Sequence, residues 1–192
     1  MKREFDKGDG TTTRFAYIAR ERFGPWNREG WLKYLGFSRL PQLSEVIFDS
    51  SLCPALVDVN CDEDWNHNIH EDFITHYYWD LSYLRTKIPE DSVFNLLALA
   101  RNSASDPKEG QSPDGFHYVG SDLIDGQTGI SAITNCGGFE DVFPRSEVSP
   151  LGLITDWNRA VEIQIKLAAA HPKEAHAQCD LWSIWRWQPP GR

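Results

Sequence analysis

Lysine and arginine are absent from a long segment of this chain. Neither occurs between Leu40 and Leu84, although the 192 residues include 19 Lys+Arg and 28 Asp+Glu. That segment holds nine of the acids, so the remainder is balanced and the formal net charge of −9 lies within the segment. Such a concentration of one sign of charge attracts basic proteins and repels nucleic acid. The sequence therefore predicts no nucleic-acid partner.

Long apolar runs are also absent. A membrane-spanning helix needs about 18 or more apolar residues in succession, and the chain has no such run. The first residues, from Met1 to Asp6, lack the apolar core of a signal peptide. These absences predict a cytoplasmic protein with no membrane partner.

Closely spaced cysteine pairs are missing. The four cysteines are Cys53, Cys61, Cys136 and Cys179, and no two of them form a C-x-x-C motif. A chain of this length needs no disulfide framework to be stable, so reduced thiols are expected. A bridge between Cys53 and Cys61 is the alternative that their spacing allows.

Several short catalytic motifs do not occur. The chain has no G-x-S-x-G, H-E-x-x-H or H-x-x-E-H, and no glycine-rich loop for phosphates or dinucleotides. These motifs are typical of α/β-hydrolases, zinc peptidases and nucleotide-binding enzymes. Their absence favours a protein that is not an enzyme and that holds no cofactor.

The composition that is present is typical of a folded domain. Hydrophobic residues make up 41% of the chain and aromatic residues 12%, which a disordered chain would not reach. We expect residues 1–14 to form a mobile tail and residues 15–192 to form a single α+β domain. The domain should be helical over 15–88 and rich in sheet over 92–188.

Two short elements are predicted early in this domain. The segment from Asn27 to Gly36 is typical of a helix, with Asn27 as its cap, Gly36 as its stop, and Trp31, Leu32 and Leu35 buried. Residues 40–48 suit either a second short helix or a strand.

A third helix is predicted from Glu71 to Leu84. Apolar residues recur there at spacings of three and four, which is the pattern of one helical face. Asp72, His76 and Asp80 would then follow one another, a turn apart, on the polar face.

The C-terminal half predicts strands around one long helix. The runs Val93–Ala100 and Leu181–Trp187 suit strands, and Phe116–Ile124 with Ile130–Cys136 suits a hairpin. Asp156 or Thr155 should cap a helix that reaches about Ala170. We expect a mostly antiparallel sheet of about four or more strands, covered by this helix and by the N-terminal helices. Packing, rather than a ligand platform, is the favoured role of the tryptophans in the last strand, Trp182, Trp185 and Trp187.

The acidic segment offers two metal hypotheses. His67, His70 and Glu71, with Asp72 and His76 nearby, could face one ion if the segment is helical. Carboxylates could instead bind calcium, but the glycine and final glutamate of an EF-hand loop are missing. The carboxylates of this second hypothesis are those of Asp58, Asp62 and Asp64. A solvated acidic face explains the same residues without a metal, so no metal site is predicted.

A thiol nucleophile is a further hypothesis. Cys136 precedes two glycines at a predicted strand end, and His171 or His176 could act as its base. A buried cysteine beside a tight turn explains the same pattern.

The favoured function uses the acidic segment as a protein interface. Carboxylates can compete with phosphates for a basic cleft and can speed association, while aromatic residues supply affinity. The prediction is a non-enzymatic, bacterial-type protein that binds and neutralises a basic protein, as an immunity protein or inhibitor of a nuclease-like toxin would. A small metal- or thiol-dependent hydrolase and a regulatory module without a charged partner are the alternatives. The predicted contact residues are Asp58, Asp62, Glu63, Asp64, Trp65, Glu71, Asp72, His76 and Asp80.

Overall fold

The computed structural model describes residues 15–56, 69–72, 75–89, 94–110, 112–135 and 139–188. Within these residues, six strands form one antiparallel sheet in the order β2-β3-β1-β4-β6-β5. The strands are β1 Ala16–Glu21, β2 Ile69–Asp72, β3 Thr75–Tyr78, β4 Phe94–Arg101, β5 Phe116–Asp125 and β6 Cys179–Trp187. The predicted α+β domain with an antiparallel sheet is confirmed. The predicted tail, residues 1–14, lies outside the described residues.

The longest described helix is the one that the sequence predicts most clearly. The described α-helices are α1 Arg28–Ser38, α2 Leu81–Lys87 and α3 Trp157–Ala170. Asp156 caps α3, because its Oδ1 accepts a hydrogen bond from the Arg159 N–H at 3.1 Å. Ala160, Ile163 and Leu167 are buried along one stripe of α3. None of the helices in the described ranges is long and apolar enough to cross a membrane.

Helix α1 continues past its predicted stop. Gly36 lies inside it, and the chain leaves the helix at Arg39, whose φ of 53° is left-handed. Trp31 is buried as predicted, but Leu32 is 65% exposed. The buried position is taken by Tyr34, whose hydroxyl donates to the Thr134 carbonyl at 2.8 Å.

The helix predicted from Glu71 to Leu84 is wrong over most of its length. Strands β2 and β3 occupy 69–72 and 75–78, and only Leu81–Lys87 is helical. Aromatic and β-branched residues such as Thr75, Tyr77 and Tyr78 fit the pleated surface of a sheet, and here tertiary pairing overrides the helical spacing. The described residues between positions 15 and 88 therefore contribute three strands as well as two α-helices.

Two further segments lack the regular elements considered for them. Residues 40–48 form turns, with a single bridge between Val46 and Phe23. The second hairpin strand is reduced to a bridge between Ser131 and Ile124, followed by a turn over 132–135. Ser131 begins this turn because its hydroxyl accepts two backbone N–H groups further along the chain.

Both faces of the sheet are buried. Residues 46–53 cover one face, where Ile47 and Phe48 pack against Trp182. Helix α2 covers part of the other face, where Leu84 joins the cluster that contains Trp185. Trp182 and Trp185 are 0% and 2% exposed, which confirms the predicted packing role for these two tryptophans.

Candidate functional site

The predicted contact residues divide into a described and an undescribed group. Asp58, Asp62, Glu63, Asp64 and Trp65 lie outside the described residues. Glu71 and Asp72 are consecutive residues of β2, and His76 belongs to β3. The antiparallel register pairs Glu71 with His76, so the fold brings these two predicted residues together.

Strand β2 is the outermost strand at its end of the described sheet. Within the described residues it pairs with β3 alone. An outermost strand presents backbone donors and acceptors to whatever approaches it, and acidic residues on it select a basic partner. The acids Glu71 and Asp72 therefore occupy a position from which a partner can be recognised.

Asp80 has a structural role. Its Oδ1 accepts hydrogen bonds from the Ser82 N–H at 2.8 Å and the Tyr83 N–H at 3.1 Å. These bonds satisfy backbone donors at the start of α2, as expected of an N-cap. Asp80 is exposed, but its carboxylate is already used within the chain.

The aromatic residues beside the acids do not supply surface anchors. Tyr77 and Tyr78 are 4% and 0% exposed and belong to the two core clusters on opposite faces of the sheet. Trp79 is partly buried and packs edge-on against Tyr77, with ring centroids 5.3 Å apart. Any aromatic residues that contribute binding affinity at an acidic interface would therefore have to be residues other than Tyr77, Tyr78 and Trp79.

Glu45 lies at the centre of a buried ionic cluster. Its Oε1 accepts hydrogen bonds from Arg22 Nε at 3.0 Å and from Asn95 Nδ2 at 2.7 Å. Its Oε2 accepts from Arg186 Nη1 at 3.1 Å. The Glu45 side chain is 6% exposed, against 39% for Arg22 and 24% for Arg186. This acid of the basic-free segment is therefore neutralised inside the fold.

Asp49, Ser131 and Asp122 form a second buried polar group, which we call the carboxylate clasp. The Ser131 N–H donates to Asp49 Oδ2 at 3.1 Å, and the Ser131 hydroxyl donates to Asp122 Oδ1 at 2.6 Å. The other oxygen of Asp49 accepts from both the backbone and the hydroxyl of Ser51. All three members of the clasp are at most 1% exposed.

Arg20 is the buried cation beside the clasp. Its Nη1 donates to the Cys53 carbonyl at 2.9 Å, whereas its Nε and Nη2 have no hydrogen-bond partner in the described part of the chain. Burial lowers the pKa of Arg20 to about 10, against the opposing charges of Cys53 and Asp49. Arg20 thus interacts with the Asp49 charge at a distance, without a direct hydrogen bond to it.

The clasp holds an unusually basic carboxyl group. Burial raises the pKa of Asp122 to about 8, and the nearby Asp49 charge adds to that rise, while hydrogen bonds from Ser131 and the Leu123 N–H oppose it. Burial also raises the pKa values of the Cys53 thiol and of the Tyr34 hydroxyl, which lies against the same carboxylates. Burial therefore favours the uncharged forms of Asp122, Cys53 and Tyr34.

The histidine-based metal hypothesis loses the helical geometry that it requires. His70 and Glu71 lie on a strand, so the helical spacing that would bring three ligands together does not occur. His67 and the Asp58, Asp62, Asp64 group lie outside the described residues. Across the ranges that the structure describes, no three His, Cys, Asp or Glu residues could hold a metal ion together.

For the thiol hypothesis, the structure describes the proposed base His171 but not the thiol of Cys136. Cys136 lies outside the described residues, while His171 Nε2 lies 3.0 Å from Asp141 Oδ2 and packs on Phe139.

Cys53 is a free, buried thiol that donates to the Val46 carbonyl at 3.0 Å, so it forms no bridge with Cys61.

Arg20, Asp122 and Ser131 do not stand out in the sequence. One signal was available for Asp122, which is charged and yet lies between residues that suit a buried strand. A charge at such a position needs a buried partner. Its partners come from separate segments, so sequence spacing could not identify them.

Comparisons of the chain with protein-family models, curated proteins and solved structures found no match.

Proposed function

We propose that this protein binds a basic protein through the acids of residues 58–72, and neutralises it in the bacterial cytoplasm as an immunity or inhibitor protein does. The observation that carries the proposal is the position of Glu71 and Asp72 on β2, the outermost described strand at that end of the sheet. These two acids belong to a segment that contains no lysine or arginine.

The fold narrows the acids that can take part. Glu45 and Asp49 are buried and hydrogen-bonded, and Asp80 caps α2. None of these three carboxylates is available to a partner without a cost to the fold. The six remaining acids of the basic-free segment fall between positions 58 and 72. They are Asp58, Asp62, Glu63, Asp64, Glu71 and Asp72.

A charge-neutral variant tests the proposal. The change D62N/E63Q/D64N/E71Q/D72N removes five negative charges and leaves the side-chain sizes almost unchanged. A matched control, E21Q/E29Q/E109Q/D114N/E174Q, removes five charges from exposed acids elsewhere on the domain. Immobilised wild-type protein is exposed to lysate of the source cells, and bound proteins are identified by mass spectrometry.

We expect wild type and control to retain one basic protein that the charge-neutral variant loses. Binding should weaken as salt rises and be lost near about 1 M, where the screening length falls to roughly 3 Å. Thermal unfolding of all three proteins shows that the variants are folded. Equal recovery of the basic protein by the wild type and the folded charge-neutral variant would rule out these acids as the interface.

One contact favours a second candidate, a thiol hydrolase. Asp141 Oδ2 lies 3.0 Å from His171 Nε2 and can orient this imidazole as a general base. Phe139, which packs on the same ring, lies three residues after Cys136 in the sequence. Turnover of a panel of ester and peptide substrates that is abolished by both C136A and H171A, but not by D114N, would support this candidate. Activity that survives in C136A would exclude it.

A further inference from the structure

The carboxylate clasp joins the sheet to two segments that lie outside it. Asp122 belongs to β5, Asp49 to residues 46–53, and Ser131 to the turn at 130–135. Ser131 donates one hydrogen bond to each carboxylate, and its hydroxyl accepts from the N–H groups of Ile133 and Thr134 at 3.1 Å. If either carboxylate withdraws from Ser131, residues 46–53 and 130–135 lose the buried hydrogen bonds that join them to each other and to Asp122, and the remaining bonds to the sheet hold them less firmly.

The charges around the clasp do not balance when both acids are ionised. Arg20 of β1 is the buried cation, and its hydrogen bond goes to the Cys53 carbonyl. The other titratable groups that face the clasp are the Tyr34 hydroxyl of α1 and the Cys53 thiol, and neither carries positive charge. Asp49 faces the Arg20 guanidinium, so an ionised Asp122 beside Asp49 adds a second negative charge to a dry interior, which is costly. A single bound proton removes that cost.

We propose that the carboxylate clasp is a pH-sensitive latch, which holds residues 46–53 and 130–135 on the sheet while it retains one proton and lets them open as that proton is lost.

The direction of the effect follows from where the proton binds more tightly. In the closed form the pKa of Asp122 is about 8, and once the segments open it returns towards the ordinary value of 3.8. The closed form therefore binds the proton more tightly, and raising the pH favours the open form. The opening constant should rise up to about tenfold per pH unit and level off near pH 8, where the closed form also ionises.

Cys53 provides a probe of opening within the molecule itself. Its thiol is 0% exposed and donates to Val46, so iodoacetamide can reach it only when residues 46–53 leave the sheet. The alkylation rate of the Cys53 peptide is measured by mass spectrometry from pH 6 to pH 9, in wild type and in Asp122→Asn. Asparagine keeps an oxygen for Ser131 and has no proton to lose. Dividing the wild-type rate by the variant rate at each pH cancels the ionisation of the thiol itself.

We expect this ratio to rise by up to about 100-fold between pH 6 and pH 8 and then to remain constant. The same ratio for Asp114→Asn, an exposed acid, should not change with pH. A flat ratio for Asp122→Asn would overturn the proposal.

A measurement on wild type alone covers the case in which Asp122→Asn does not fold. The Ala132 N–H donates to the Leu123 carbonyl at 2.8 Å, so its hydrogen exchange reports release of the turn. Exchange at Ala132, corrected for the intrinsic rate and referred to amides inside α3, should accelerate from pH 6 to pH 8. Equal protection across that range would contradict the latch.

Discussion

Glu45 Oε2 lies 3.1 Å from Arg186 Nη1, across 141 positions of the sequence. Glu45 precedes the segment that covers one face of the sheet, and Arg186 lies near the end of β6. The same carboxylate also binds Arg22 and Asn95. One buried acid therefore joins the start of the covering segment to β4, to β6 and to the residue that follows β1.

We expect Glu45→Gln to lower the free energy of unfolding by about 2 kcal/mol, since it leaves two arginines without a buried counter-charge. Partial exposure of Arg22 and Arg186 lets water compensate in part, which keeps the loss below that of a fully buried pair. Urea denaturation of wild type and variant measures the difference. The exposed Glu174→Gln change is the control, and equal losses in the two variants would contradict the role of Glu45.

Two variants of Asp80 can separate its role as the N-cap of α2 from its negative charge. Asp80→Ala removes the acceptor for the Ser82 and Tyr83 N–H groups and should cost about 1 kcal/mol of stability. Asp80→Asn keeps a good cap and removes the negative charge, so its stability should stay close to that of wild type. Thermal unfolding distinguishes the two variants. A partner that is lost with Asp80→Asn, while the fold is intact, would return Asp80 to the interface.

Two glycines should respond in opposite ways to alanine. Gly36 lies inside α1 with no atom near the position of a Cβ, so Gly36→Ala should stabilise the protein by about 0.5–1 kcal/mol. Gly120 has φ of +144°, and a Cβ there would lie 2.8 Å from Leu153 Cβ. Gly120→Ala should therefore destabilise the protein by about 2 kcal/mol. Gly120 lies at a β-bulge, because the register of β5 with β6 shifts between Tyr118 and Gly120. Paired denaturation curves test both signs at once, and a stabilising Gly120→Ala would show that this bulge is not constrained.

The raised pKa of Asp122 should also make the free energy of unfolding of the whole protein depend on pH. Its pKa in the folded state, about 8, lies above the ordinary value of 3.8, so the folded state binds the extra proton. The resulting contribution to stability is complete below about pH 4 and is lost as the pH rises through 8. The free energy of unfolding of Asp122→Asn relative to wild type should therefore increase between pH 5 and pH 8, by at most about 1.4 kcal/mol per unit. A difference that is independent of pH would show that Asp122 is ionised in the fold.

The sequence predicts elements whose information is local. Helix α3 has a cap, a wide apolar stripe and a following proline within one segment. Strand β4 is apolar on both faces, and β6 is strongly aromatic. Residues 71–78 carry two patterns, because their aromatic spacing fits a helix and their residue types fit strands. Pairing of Tyr17 in β1 with Tyr78 decides between the patterns, and that contact spans 61 positions.

The acids show even more clearly that local sequence patterns do not predict contacts between distant positions. Nine carboxylates in a segment without lysine or arginine predict a surface, yet the partners of Glu45 and Asp49 lie elsewhere in the chain. Arg186 lies 141 positions from Glu45 and neutralises it. Ser131 lies 82 positions from Asp49 and donates a hydrogen bond to it. Local charge counting cannot find such partners, so it overstates how many acids face solvent. Likewise, the position of Glu71 and Asp72 on an outermost strand becomes known only from the order of the strands in the sheet.

The place of β6 in the sheet has a consequence for biosynthesis. Strands β4 and β5 are not hydrogen-bonded to each other, since each pairs with β6, which is translated after both. Until the ribosome has released β6, each of the two earlier strands has an unfilled edge. Unpaired strand edges on a nascent chain invite aggregation and bind chaperones. We therefore expect this domain to complete its sheet only after the residues of β6 have emerged from the ribosome, and to need protection until then.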